Sequence, residues 1–404
     1  MKCPLFPAIV LMALMASGPC QPPRESQADN QTNVEQNINP LTGAEQPDEY
    51  LPLLEGKNAG LVVNHTAITG EKHLLDFLID HKINVVKVFA PEHGFRGEAS
   101  AGEKVADGKD EKTGIEIVSL YGQNRKPSPN HLKNIDVMVF DVQDVGCRFY
   151  TYLSTLYLVI EACAENGIPL IVLDRPNPNG DYVAGPLLEP GFTSFVGMVP
   201  VPVVHGCTLG EMALMINGEK WHKAPQSCSI RVVKVKNYTH LTPYDPPTPP
   251  SPNLPNYQSI RLYPSLCFFE ATSVSVGRGT PYPFQVIGGT LPALGDFTFI
   301  PKDIPGFVNN PVNEGKTCYG TDLRTLNPVP PFTLRFFIET REKYQDEKSF
   351  LTSERWFNLL AGTDKLLKGI REGKSESELT RQWMQDIERY KTIRKKYLLY
   401  PDFE

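Results

Sequence analysis

Residues 136–148 read DVMVFDVQDVGCR, and residues 169–180 read PLIVLDRPNPNG. Each opens on an apolar run that ends in an aspartate and breaks into a polar loop. An unbroken apolar run of strand length suits a strand buried on both faces, the signature of a parallel sheet covered by helices. Between the two runs, residues 151–166 read as a helix. Toward the N-terminus, residues 60–63, 84–90 and 115–120 read as further strands. Residues 71–81 read as an amphipathic helix with Leu74, Leu75 and Leu78 on one face. Residues 199–204 and 230–235 add two more strands. This alternation predicts an α/β protein whose N-terminal catalytic domain, residues 51–255, is a Rossmann-like parallel sheet. The stretch TPYDPPTPPSPNLP at 242–255 is too rich in proline for helix or central strand and marks the crossing into a second region. A smaller mixed α+β C-terminal domain is expected over 256–404, with helices at 349–360 and 376–393. Trp356 and Trp383 lie there at helical spacing and read as core.

The chain has 404 residues, 41% hydrophobic and 21% charged, with a net charge of -6, so a broad nucleic-acid-binding face is not expected. Lys2, an apolar run over 5–16 and the small residues Ala16, Ser17 and Gly18 read as a secretory signal peptide, residues 1–20. Cys20 sits where a lipoprotein cysteine is acylated, although Pro19 is a poor residue before it. Residues 21–50 carry one Arg against six acids and read as a disordered acidic tether. Export to the periplasm or cell envelope, with a membrane lipid anchor at Cys20 as an option, follows from these features. The six later cysteines lack CxxC or metal-ligand spacing and read as buried thiols, with no disulfide assigned.

Ligands of open parallel sheets bind beyond the carboxyl ends of the strands. Here those ends carry Asn64-His65-Thr66, then Glu92-His93-Gly94-Phe95-Arg96, then Asp141, Asp144 and Arg148, then Asp174-Arg175, and finally His205. No GxGxxG, Walker loop or GxSxG motif is present, and Gly277-Arg278-Gly279-Thr280 reads as a tight turn presenting Arg278. Asp141, Asp144, Asp174 and His205 could together serve a metal-dependent hydrolase, but no metal-ligand spacing supports them and no metal is expected. Paired carboxylates point instead to glycosidic cleavage, in which one acid protonates the leaving oxygen. Glu92, between Pro91 and His93, suits the acid, with Asp141, Asp144 or Glu270 as the second carboxylate. Structural roles compete at several of these positions: a turn cap for Asp141, an ion pair with Arg148 for Asp144, loop ordering for Asp174 and a helix first turn for Glu211.

The stretches VVNHTAI, FAPEHGFRG, SLYG, DVMVFDVQDVGCRFYTY, LDRPNPNG, PSPNLPN, FFEATSVSVGRGTPYPFQVIG and RKKYLLYP span residues 62–401. In these motifs the chain resembles the NamZ-type exo-β-N-acetylmuramidases, a bacterial family long catalogued as a domain of unknown function. The resemblance implies a cleft between the two domains. It also implies release of terminal β-1,4-linked N-acetylmuramic acid from the non-reducing ends of peptidoglycan fragments, such as MurNAc-GlcNAc and muropeptides, without a cofactor. Carried onto this sequence, it makes Glu92 the general acid/base and puts Asn64, His93, Asp141, Asp144, Arg148 and Tyr150 in the cleft. Glu270 and Arg278 would close over the sugar. Two departures, Ala271-Thr272-Ser273 for the family's Gly-Thr-Asn and Gly206-Cys207-Thr208 for its Gly-Met-Thr, bear on pocket shape. The lactyl carboxylate of muramic acid calls for a guanidinium, with Arg96, Arg148 and Arg278 as candidates. Tyr150, Tyr152 or Phe95 could stack on the sugar, and His205 is a further substrate-binding candidate. The rival from another class is a non-catalytic peptidoglycan-binding lipoprotein.

Overall fold

The structure, a computed structural model, describes residues 39–92, 94–96, 107–122 and 124–404. Its strands in chain order are β1 (Asn58–Val63), the hairpin β2 (Ile68–Thr69) and β3 (Lys72–His73), β4 (Asn84–Ala90), β5 (Gly108–Lys109), β6 (Glu116–Ser119), β7 (Val137–Asp141), β8 (Leu170–Leu173), β9 (Ala184–Leu187), β10 (Pro202–Val204) and β11 (Ile230–Val233). Seven of them form the central sheet in the order β11-β8-β7-β1-β4-β6-β5, parallel except for the two-residue edge β5. Val63 lies opposite Asp141, Val62 opposite Phe89 and Ala90 opposite Ser119, and the β1–β4 register shifts by one residue between Ala59 and Gly60. Every residue of β7 and β8 is buried, which explains the unbroken apolar runs. The order of strands reverses between β1 and β7, and that switch point is where such sheets open a crevice.

Helices α1 (Pro47–Leu54), α2 (Leu74–Asp80), α3 (Tyr152–Asn166) and α4 (Leu209–Gly218) accompany the sheet. Helix α2 starts later than its apolar pattern implies because β3 precedes it, and His73 Nδ1 caps it by accepting the Leu75 N–H. The strand expected at 199–204 is a correction. Only Pro202–Val204 is extended, and it pairs antiparallel with β9 outside the central sheet. Pro200 and Pro202 remove amide donors that a central strand needs.

The acidic stretch is also corrected. Residues 39–50 are ordered, while the expected leader, Cys20 and residues 21–38 lie outside the described residues. Leu41 exchanges backbone hydrogen bonds with Lys236, and Gly43–Glu45 forms a 3-10 turn that leads into α1. Ala44, Tyr50 and Leu54 are fully buried in the cluster that holds Leu61, Val63, Ile171 and Val233. A few well-placed apolar residues dock this segment despite its charge, and Asp48 and Glu49 sit in the first turn of α1, where the helix dipole favours acids.

The remainder contains α5 (Tyr257–Leu266), a three-stranded antiparallel sheet of β12 (Val286–Gly289), β13 (Phe297–Phe299) and β14 (Cys318–Asp322), and six helices: α6 (Arg335–Glu342), α7 (Glu347–Phe350), α8 (Glu354–Ala361), α9 (Lys365–Arg371), α10 (Glu376–Arg381) and α11 (Met384–Arg394). The single helix expected over 376–393 is two, divided at the buried Trp383. The chain then returns to the first domain. Tyr400 donates its hydroxyl to Asp174 Oδ2 at 2.6 Å, and the Leu399 N–H reaches Glu211 Oε1 at 2.9 Å. Residues 39–404 thus form one unit. Cys147, Cys163, Cys207, Cys228, Cys267 and Cys318 are buried free thiols. Among the described residues no helix is long and apolar enough to cross a membrane.

A methyl group at Gly43 would lie 2.6 Å from the Asp174 nitrogen and 2.6 Å from the Val233 oxygen, both main-chain atoms. Gly43→Ala is therefore expected to cost about 1–3 kcal/mol by overpacking. A shift of the urea midpoint measures it, and an unchanged midpoint would mean that residues 39–54 do not dock on the sheet.

Candidate active site

Strand β4 stops at Ala90 because Pro91 cannot continue the ladder, and the positive φ of Gly94 (78°) lets the chain turn. Glu92 stands on that turn and faces a cleft of about 370 Å³. Phe149, Tyr150 and Thr151, leading into α3, form the adjoining wall, and Ser251 and Asn253 of the proline-rich strap continue it. The opposite wall comes from the C-terminal region. The 3-10 turn Cys267–Ala271 brings Glu270, the turn at 277–280 brings Arg278, and α8 brings Trp356.

Gly277 and Gly279 have φ of 79° and 81°, and Thr280 N–H closes on Gly277 O, so the tight turn does present Arg278. Arg278 Nη2 donates to Glu270 Oε1 at 2.5 Å, and its guanidinium lies 5.0 Å from the centre of the Phe284 ring. Among the described residues that line the cleft, Arg278 is the only cation.

Glu92 Oε2 accepts the Thr151 hydroxyl at 2.6 Å. Thr151 occupies the N-cap of α3, yet its side chain makes no capping bond, so a group that ordinarily satisfies the helix end is turned onto Glu92. Tyr121 faces the same carboxylate, and burial together with the Glu92 charge and hydrogen bond pushes its phenol well above the usual range. Tyr150 donates its hydroxyl to Pro250 O at 2.8 Å and meets Tyr152 edge-on at 4.9 Å, fixing the strap against the floor of the cleft.

The structure thus brings Glu92, Tyr150, Glu270 and Arg278 together, and several other sequence candidates are corrected. Asp141 is fully buried and grips the Arg175 guanidinium through both oxygens, at 2.5 and 2.9 Å. Asp144 does not pair with Arg148. It accepts the Gly146 N–H at 2.7 Å, its Oδ2 has no protein partner, and burial pushes its carboxyl up to about 7. Arg148 is entirely buried, donates to the carbonyls of Pro186, Val201 and Leu360, and is pushed down to about 9 by burial. Asn64, also fully buried, links Tyr152 and Thr66 instead of facing the cleft.

His205 accepts the Cys207 N–H on Nδ1 and is pushed down to about 3 by burial. Arg96 lies in a separate surface hollow, forked onto Asp110 at 2.9 and 3.1 Å. Phe95 and Tyr152 are buried packing residues and do not line the cleft. His93 lies outside the described residues.

The set expected for a metal hydrolase is dispersed. Asp174, pushed up to about 6 by burial, holds Thr208, the Gly210 N–H and Tyr400, while Asp141 serves Arg175. No group of three or more His, Cys, Asp or Glu among the described residues is arranged to hold a metal ion. Glu211 is structural, forming a capping box with Thr208 and meeting His240 at 3.0 Å.

Sequence reasoning did not single out Tyr121 or Thr151, although both lie in quoted motifs at strand and helix ends. It placed Trp356 in the core. Helical spacing could not reveal that this ring is only half-buried, at the edge of a cleft.

Carboxylates set among aromatic rings and amides in an open cleft are what cleavage between sugars requires, so fold and cleft together define an α/β glycoside hydrolase. The chain belongs to the NamZ family. The family model described as "Exo-beta-N-acetylmuramidase NamZ, N-terminal" matches residues 59–258, and its C-terminal counterpart matches residues 261–400. A relative from Bacillus subtilis (strain 168), peptidoglycan beta-N-acetylmuramidase NamZ, is 35% identical over 97% of both chains. Two crystal structures of DUF1343 family proteins from Bacteroides fragilis share the fold. One has 44% identity and a TM-score of 0.82, the other 29% and 0.73, each covering 90% of this chain and 99% of its own.

The buried Asp144 carboxyl supplies a pH test. Its folded value of about 7 exceeds its ordinary 3.8, so the native state holds the extra proton between those values. Stability is therefore complete below the lower value and declines as pH rises toward the upper one. Asp144→Asn should be more stable than the parent at pH 8, on the order of 1–3 kcal/mol, with little difference at pH 4. Parallel urea titrations at the two pH values measure it, and an equal effect at both would dismiss the buried proton.

Proposed function

We propose that this protein is an exo-acting glycosidase that releases terminal β-1,4-linked N-acetylmuramic acid from the non-reducing ends of peptidoglycan fragments, with Glu92 as general acid/base. One observation carries the reading: Glu92 and Arg278, an acid and the lone cation among the described lining residues, face the same cleft within a chain of the NamZ family. In the protonated state Glu92 gives its proton to the leaving glycosidic oxygen, and the resulting carboxylate then activates the water or group that completes the exchange. Thr151 and Tyr121 orient that carboxyl group. Glu270 occupies one Nη2 donor of Arg278, and the remaining guanidinium donors are free in geometry to take the lactyl carboxylate that distinguishes muramic acid from glucosamine. Tyr150 and Trp356 supply ring surface for the sugar.

The leader-like residues 1–20 support export to the cell envelope, and Cys20 supports a lipid anchor there, where fragments arise during wall turnover.

Hydrolysis of a chromogenic β-N-acetylmuramide, beside the matching glucosaminide, tests this. The muramide should be cleaved and the glucosaminide spared. Glu92→Gln should lower kcat by about 10²–10⁴-fold while the protein stays folded. A folded Glu92→Gln that turns over at the parent rate would remove Glu92 from the chemistry. Arg278→Met should raise KM for the muramide by about 10–100-fold, the loss of a charged hydrogen bond. An unchanged KM would place the lactyl group elsewhere.

A further inference from the structure

The switch point between β1 and β7 does not open into the cleft of Glu92, which sits one strand further on, at the end of β4. It opens into a second cavity of about 460 Å³. Thr66 follows β1, Gln143 follows β7 and Arg175 follows β8. Glu45 closes one side, and the strap residues Tyr244 and Asp245 close another. The proline-rich strap separates the two chambers. Its Pro249 and Pro250 carbonyls bond His65 and Tyr150, and Ser251 and Asn253 already belong to the cleft.

Two features of its wall argue for a ligand. Gln143 is 2% exposed, and its Nε2 is committed to Asp144 O at 2.8 Å and Pro176 O at 2.9 Å. Its Oε1 is left buried and without a protein partner, an acceptor awaiting a donor. Arg175 is 7% exposed, lines the cavity wall and is held rigid there by Asp141 and the Ile68 carbonyl.

Charge and shape then narrow the ligand. The Arg175 charge is already matched by Asp141, and Glu45 and Asp245 add carboxylates, so an anion is disfavoured. The acceptors Gln143 Oε1 and Asp245 ask for hydroxyl or amide donors. The face of Tyr244 beside Pro243, Pro246 and Pro247 offers the flat apolar surface against which the C–H face of a sugar ring lies. We propose that this second cavity binds an uncharged pyranose of the N-acetylhexosamine class, at a site separate from the cleft. This holds whether or not the cleft cleaves muramides.

The test titrates the full-length protein with N,N′-diacetylchitobiose, which is neutral and has no lactyl group, using calorimetry and saturation-transfer NMR. Saturable binding is expected in the parent and unchanged in the cleft variant Arg278→Met. Tyr244→Ala should weaken it at least about tenfold while leaving the melting temperature and chromogenic muramide hydrolysis unchanged. A crystal soaked with the same disaccharide should show it against Tyr244 and Gln143, an outcome that does not depend on any variant folding. Absence of saturable binding would overturn the proposal. So would binding that is lost in Arg278→Met and kept in Tyr244→Ala, or density confined to the cleft.

Discussion

A guanidinium with no carboxylate beside it holds the two walls of the cleft in place. Arg148 is fully buried and donates to three carbonyls, of which Pro186 and Val201 belong to the first domain and Leu360 to α8 of the second. The next three residues, Phe149, Tyr150 and Thr151, line one wall, and Trp356, one turn before Leu360, lines the other. Arg148 thus ties the two walls together, beside the Glu189 N–H that reaches Gly362 O and the Arg261 guanidinium that grips Asp181. Burying such a charge is costly, and the three carbonyls offset part of that cost while the Nε is left without a partner. Gly362 reinforces the point, since a methyl group there would lie 2.7 Å from the Arg148 Nη2.

The buried charges sort by the same logic. Asp141 is paid for by Arg175, Asp174 by hydroxyls and amides, and Arg148 by carbonyls. Each of these stabilises the scaffold and is unavailable for chemistry. Glu92 and Glu270 are only part-buried, and both are held by neighbouring side chains, Glu92 by the hydroxyls of Thr151 and Tyr121 and Glu270 by Arg278. A carboxyl group that must exchange a proton and meet a substrate needs that lighter restraint.

Much of the scaffold was legible along the chain. Strands β7 and β8 announced themselves by length and unbroken apolar content and β4 by its valines around Lys87, and Glu92 stood out because Pro91 and Gly94 force the chain off the sheet around it. Other residues were misplaced for physical reasons. Asp141 and Arg148 sit at a strand end like ligands, but their partners lie 34 to 212 residues away, and pairing across such distances leaves no local pattern. The segment at 199–204 has the apolar content of a strand, and its prolines overrule it. Residues 39–50 have the composition of a tether, and three buried side chains, Ala44, Tyr50 and Leu54, overrule that. Composition and periodicity report what a segment prefers alone, whereas these positions were decided by what lies across the fold.

The return of the chain end to Asp174 has a consequence for biosynthesis. The carboxylate at the end of β8 needs the hydroxyl of Tyr400, and Glu211 needs the amide of Leu399, so the first domain leaves the ribosome with part of its interior unmet. More than two hundred residues must follow before Tyr400 can reach Asp174. The order of synthesis and the order of completion thus run in opposite directions, and a fragment cut near the strap would be released with those acids open to water.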